Sequence, residues 1–99
     1  PKAMARAGGP AGMANLIALN ISDTNTAFAN SRLNLQARLV HAELMPYVED
    51  PRTAPDPRSD LRNGVGAFSR VRALRDAYGA DIVTVIFDSA GYTYCGVSY

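Results

Sequence analysis

The chain has 99 residues, of which 47% are apolar and 19% charged, with ten basic residues against nine acidic ones and a formal charge of +1. That length fits one domain at most, and the composition is that of a globular chain with a modest core. The scattered, nearly balanced charge argues against a dedicated nucleic-acid or membrane-surface face, and no apolar run approaches the length of a membrane span.

The start, Pro1-Lys2-Ala3-Met4, has neither an initiator Met at its first position nor the apolar stretch of a signal peptide, and predicts a piece of a longer protein. Residues 1–12 hold four alanines, three glycines and two prolines, and read as a loop or frayed turn. Met13, Leu16, Ile17, Ile21 and Phe28 then recur mostly at spacings of three and four, which predicts an amphipathic helix ending at Asn30-Ser31. Leu33, Leu35, Ala37 and Leu39 alternate with Asn34, Gln36 and Arg38, the period of a half-buried strand running to about Leu44. Pro46, Pro51, Pro55 and Pro57 break regular structure. Ser59 or Asp60 can cap a second helix carrying Leu61, Val65, Phe68, Val71, Leu74 and Tyr78 on one face, weakened by Gly64 and Gly66 and ended by Gly79. Ile82-Val83-Thr84-Val85-Ile86-Phe87 is nearly continuously apolar and β-branched, the composition of a strand covered on both faces. Residues 33–88 therefore read as a right-handed strand-helix-strand crossover, and Tyr92 onward as the beginning of a further extended stretch. The fold class expected is α/β.

Chemistry is sparse. Gly8-Gly9-Pro10-Ala11-Gly12 precedes a helix, but no strand comes before it and no Lys-Ser/Thr follows, so it reads as a flexible helix start rather than a phosphate cradle. His41 is the single histidine; it could pair with Glu43 on one strand face, whereas a catalytic zinc needs about three protein ligands. Glu49, Asp50, Asp56 and Asp60 lie in or beside the proline-rich loop, where solvated carboxylates are the default. Arg62, Arg70, Arg72 and Arg75 decorate the second helix as a solvated face, with Arg72 and Asp76 spaced for a helical ion pair. Cys95 is either a small buried hydrophobe or a half-cystine whose partner lies outside the segment. The chain alone does not hold a complete metal-dependent or nucleophilic site.

Three stretches are more specific: Asp23-Thr24-Asn25-Thr26-Ala27-Phe28-Ala29-Asn30-Ser31 leading to Leu39-Val40-His41; Ala73-Leu74-Arg75-Asp76-Ala77-Tyr78-Gly79-Ala80-Asp81; and Tyr94-Cys95-Gly96-Val97-Ser98-Tyr99. In this order the chain resembles the N-terminal half of a secreted bacterial metzincin, a reprolysin-like zinc metalloendopeptidase related to the peptidyl-Asp metallopeptidases. The resemblance implies a mixed sheet with helices, here partial, with two helices and with the first and last strands of the parent sheet missing, so that residues 1–99 form an N-terminal subdomain fragment of a catalytic domain. It implies zinc in the full-length parent, held by an H-E-x-x-H-x-x-G-x-x-H helix, whereas this segment has no such motif and no cofactor of its own. It also implies a secreted or extracytoplasmic bacterial location. The partners implied are the remainder of the catalytic domain and the parent's peptide or protein substrate, with no nucleic acid and no membrane. Cys95, Gly96, Val97, Ser98 and Tyr99 match the family's cleft-lining edge strand, on which extended substrate pairs through backbone groups, and Cys95 matches a cysteine expected to bridge to a later segment. Arg32 stands where relatives often have glycine. With the first strand absent, strands 33–44 and 82–88 would flank a slot roughly 10 Å wide, so the isolated piece is expected to be marginal, associated or partly disordered. The alternative reading is a non-enzymatic α/β module that binds a peptide or subunit through an edge strand, with Tyr92, Tyr94 and Tyr99 as exposed contacts.

Overall fold

In a computed structural model of the chain, residues 1–93 are described. Helix α1 (Lys2–Arg6) is followed by α2 (Gly9–Asn30), α3 (Pro57–Asn63), a 3₁₀ turn at Gly66–Phe68, and α4 (Val71–Tyr78). The chain divides into two compact units. One comprises Met4–Ala42; the other joins Pro1–Ala3 to the described residues from Glu43 onward.

In the first unit α2 runs for 22 residues, starting four positions earlier than the apolar period alone implies. Pro10 sits in its first turn, where the missing N–H removes no helical bond and the fixed φ is already helical. Gly8, at φ 88°, turns the chain into the helix. Residues 2–6, part of the 1–12 stretch read as loop from its glycine and proline content, form α1 instead, because the breakers flank them at Pro1 and at positions 8–12. At the other end α2 stops at Asn30 as the sequence indicates. Ser31 N–H donates to Ala27 C=O at 3.0 Å and Leu33 N–H to Phe28 C=O at 2.9 Å, which satisfies carbonyls left over at the helix end. Arg32 takes the left-handed conformation, φ 56°, needed for this exit.

The expected mixed sheet is not found: among the described residues none lies in a strand. Residues 33–44 and 82–88 carry strand patterns, but a strand exists only as part of a hydrogen-bonded ladder, and among the described residues neither stretch forms one. Ala37 comes nearest. Its N–H donates to Asn25 Oδ1 at 2.7 Å and its C=O accepts from Asn25 Nδ2 at 3.0 Å, so a side-chain amide of α2 substitutes for one residue of a neighbouring strand. The apolar positions that a sheet would cover remain open: Leu35 is 63% exposed and Ile82 83%.

In the second unit the single helix expected over 60–78 is broken in two. Asp56, rather than Ser59 or Asp60, caps α3: its Oδ1 accepts the Ser59 N–H at 3.1 Å, with Pro57 in the first helical turn. Gly64, at φ 66°, ends α3 after two turns, and Gly79, at φ 61°, ends α4 as its position predicts. The break brings Phe68 inward, where it is 1% exposed and packs against Tyr47 with ring centroids 4.6 Å apart. Pro57 and Ala54 are buried in the same unit, whereas Val65 and Tyr78, placed on the predicted apolar face, are exposed.

Candidate functional site

The most organised polar arrangement is centred on Glu49, whose side chain lies in the second unit at 4% exposure. Its Oε1 accepts the Lys2 N–H at 2.7 Å, and its Oε2 accepts the N–H groups of Ala3, at 3.1 Å, and of Asp88. The amino group at Pro1 lies 2.6 Å from Oε1, and Lys2 Nζ donates to the Glu49 carbonyl at 2.8 Å. Burial pushes this carboxyl's pKa up. The amino group at Pro1 and the N–H groups of Asp88, Ala3 and Lys2 oppose it, and together they hold the pKa below its ordinary value. Asp88, also buried, uses a carboxylate oxygen to accept the Ala90 N–H at 3.1 Å.

Chemically, Glu49 is a structural clamp. A general base works best with a pKa near the operating pH and a lone pair free for the proton it removes. This carboxylate is shifted the other way, and both of its oxygens are engaged by donors from distant parts of the sequence. Sequence reasoning had placed Glu49 among solvated carboxylates. Its partners lie 47, 46 and 39 residues away, so no local spacing could have singled it out.

A shallow groove of about 260 Å³ lies beside the proline-rich loop, lined by Tyr47, Val48, Thr53, Ala54, Asp60 and Val65 among others. Tyr47 Oη donates to Asp60 Oδ2 at 2.7 Å across it, which ties the loop to α3. Within the other unit, Asn25, Ala29 and residues 33–36 line an open groove of about 370 Å³. In the first groove the Asp60 carboxylate is engaged by the Tyr47 hydroxyl, and the second is lined by no titratable side chain.

The residues singled out from the sequence are dispersed. His41 is exposed, and Glu43 forms an ion pair with Arg70. Arg72 Nη2 donates to the Arg62 carbonyl at 3.0 Å, in place of the helical pair with Asp76. Tyr92 is half-buried rather than exposed: its hydroxyl donates to Ala54 C=O at 2.7 Å and its ring meets Phe87 edge-on at 5.2 Å. Cys95, Gly96, Val97, Ser98 and Tyr99, expected to bind substrate, lie outside the described residues, as does Tyr94. Among the described residues no group of three His, Cys, Asp or Glu side chains is placed to hold a metal ion. No helix among them is long and apolar enough to cross a membrane.

No protein-family profile matches the chain, and no solved structure matches it. It is 34% identical over 88 residues to a peptidyl-Asp metalloendopeptidase of Pseudomonas aeruginosa, an alignment that takes in 84% of this chain. The chain spans only 14% of that relative's length, so the likeness is to a segment of a metallopeptidase.

Proposed function

We propose that residues 1–99 are a scaffold and cleft-wall segment of a zinc-dependent metalloendopeptidase of the metzincin type, a secreted bacterial protein. The observation that carries this reading is the 34% identity over 88 residues to the Pseudomonas aeruginosa peptidyl-Asp metalloendopeptidase. The sequence motifs support it, since they follow the order of the reprolysin-like enzymes from Asp23 through Tyr99.

In this reading the parent's zinc activates a water for peptide-bond hydrolysis. This chain has one histidine, too few for the three protein ligands of a catalytic zinc site, so the ligands come from the remainder of the catalytic domain. The segment's own contributions are a helical frame and residues Cys95 to Tyr99 as the wall on which extended substrate lies. It has no turnover of its own.

The test pairs the 99-residue chain with the longer reading frame that contains it. The longer protein is expected to bind about one zinc, to carry an H-E-x-x-H motif within roughly a hundred residues, a domain's span, beyond Tyr99, and to lose proteolysis on chelation. The chain alone is expected to show neither stoichiometric zinc nor proteolysis. A longer frame without the motif, or chelator-sensitive proteolysis by the short chain, overturns the proposal.

A further inference from the structure

Residues 82–87, Ile-Val-Thr-Val-Ile-Phe, combine several features. They are uncharged, free of proline and glycine, and rich in β-branched residues. Ile82 is 83% exposed, Val83 39% and Ile86 38%. From Ile82 to Ile86 no backbone hydrogen bond is made among the described residues. At its far end Phe87 meets Tyr92 and the Asp88 N–H is held by Glu49.

A segment of this composition whose N–H and C=O groups are open from Ile82 to Ile86 is a template for strands of the same sequence, which stack about 4.8 Å apart and interdigitate their side chains. We infer that Ile82–Phe87 is a self-association surface whose partner is the same segment of further copies of this chain.

Charge explains why this stretch is chosen over residues 33–40, which are also exposed and without a ladder. Parallel stacking in register sets identical residues side by side, so Arg38 would face Arg38 within the 33–40 stretch, with like charges in contact at every step. The 82–87 core has no charge. Its charges are confined to the flanks, Asp81 before it and Asp88 after it. Whether neighbouring copies run parallel or antiparallel, these acids line the edges of the stack, and their mutual repulsion slows its growth. Asp88 is buried and its carboxylate holds Ala90 N–H, so Asp81, which is exposed, is the brake most easily released.

The experiment follows association of the 99-residue chain at neutral pH by light scattering and sedimentation, with amide exchange to locate protection. Asp81→Asn is expected to shorten the lag several-fold, and Thr84→Lys, a charge placed mid-segment at an exposed position, to lengthen it roughly tenfold or more. Amides 82–87 are expected to become protected on association, with fibre diffraction near 4.8 Å. Thr84→Lys must keep the wild-type helical circular dichroism; if it does not, Val85→Lys serves in its place. The inference is overturned if the wild type stays monomeric to millimolar concentration. It is equally overturned if both substitutions leave association unchanged, or if protection appears at residues 33–40 instead.

Discussion

Replacing Glu49 with Gln keeps the side chain's size while removing its charge and turning one oxygen into an amide nitrogen. Glu49 accepts N–H donors from Lys2, Ala3 and Asp88. Whichever way the new amide is oriented, its NH₂ faces a donor. If it takes the Oε2 position, the Ala3 and Asp88 bonds are lost; if it takes the Oε1 position, the Lys2 bond and the contact with the Pro1 amino group are lost. A hydrogen bond to a charged acceptor contributes roughly 1.5–3 kcal/mol, and the bonds that remain weaken to the neutral range near 1 kcal/mol. The Lys2 and Ala3 groups are near solvent and rehydrate, but the Asp88 N–H is buried. We therefore expect a loss of about 2–4 kcal/mol, a large share of the 5–15 kcal/mol typical of a domain. The same geometry fixes the pH dependence. The folded-state pKa of Glu49 lies below its unfolded value, so its contribution is complete above about pH 4.3, the ordinary Glu pKa, and is lost as pH falls through the folded value. Urea unfolding between pH 3 and 7, with exchange of the Asp88 amide as a local probe, measures both effects. Glu49→Gln should lower stability at pH 7, speed Asp88 exchange and flatten the acid limb. An unchanged midpoint together with an unchanged acid limb would show that the clamp contributes nothing.

Three further substitutions probe how the helices begin and end. Arg32→Gly removes a side chain from a left-handed position and should raise stability by about 0.5–1 kcal/mol in urea unfolding, the relief in αL outweighing glycine's greater freedom when unfolded. Gly12→Ala should have the opposite effect, because a Cβ there would overlap the Ala7 carbonyl; a loss of roughly 1–3 kcal/mol, or a displaced α1, is expected by circular dichroism and exchange at Ala7. Asp56→Ala removes the α3 cap and should cost about 1 kcal/mol, with faster exchange at Ser59.

Helical structure was largely legible because its determinants are local. The three- and four-residue spacing from Met13 to Phe28 marked α2, and Asn30 and Gly79 marked helix ends. Gly64 was seen as a weakness but not as a terminus, since whether a glycine bends or ends a helix depends on what the freed turn packs against, here Phe68 on Tyr47. The strands were misjudged for a different reason. Alternation at 33–39 and the β-branched run at 82–87 state which side chains can share a face, yet a strand needs a second backbone, and the sequence pattern does not say whether one is within reach. Ala37 received a side-chain amide from Asn25 in that role. Glu49 was missed because it gathers donors from both extremes of its unit. The Cys95–Tyr99 wall lies outside the described residues, and its assignment continues to rest on motif order.

The Tyr92 hydroxyl on the Ala54 carbonyl closes a loop across 38 residues, beside the Glu49 bond to the Asp88 N–H that spans 39. Connecting points that far apart carries an entropic toll that rises only slowly with length but must be met before the contact returns anything. The α2 unit carries far less of it, since its helical bonds join near neighbours and form within about a microsecond, and its Asn25–Ala37 pair spans only 12 residues. Refolding should therefore be staged: the long helix first, then the loop drawn shut by its tyrosine as a later, slower event.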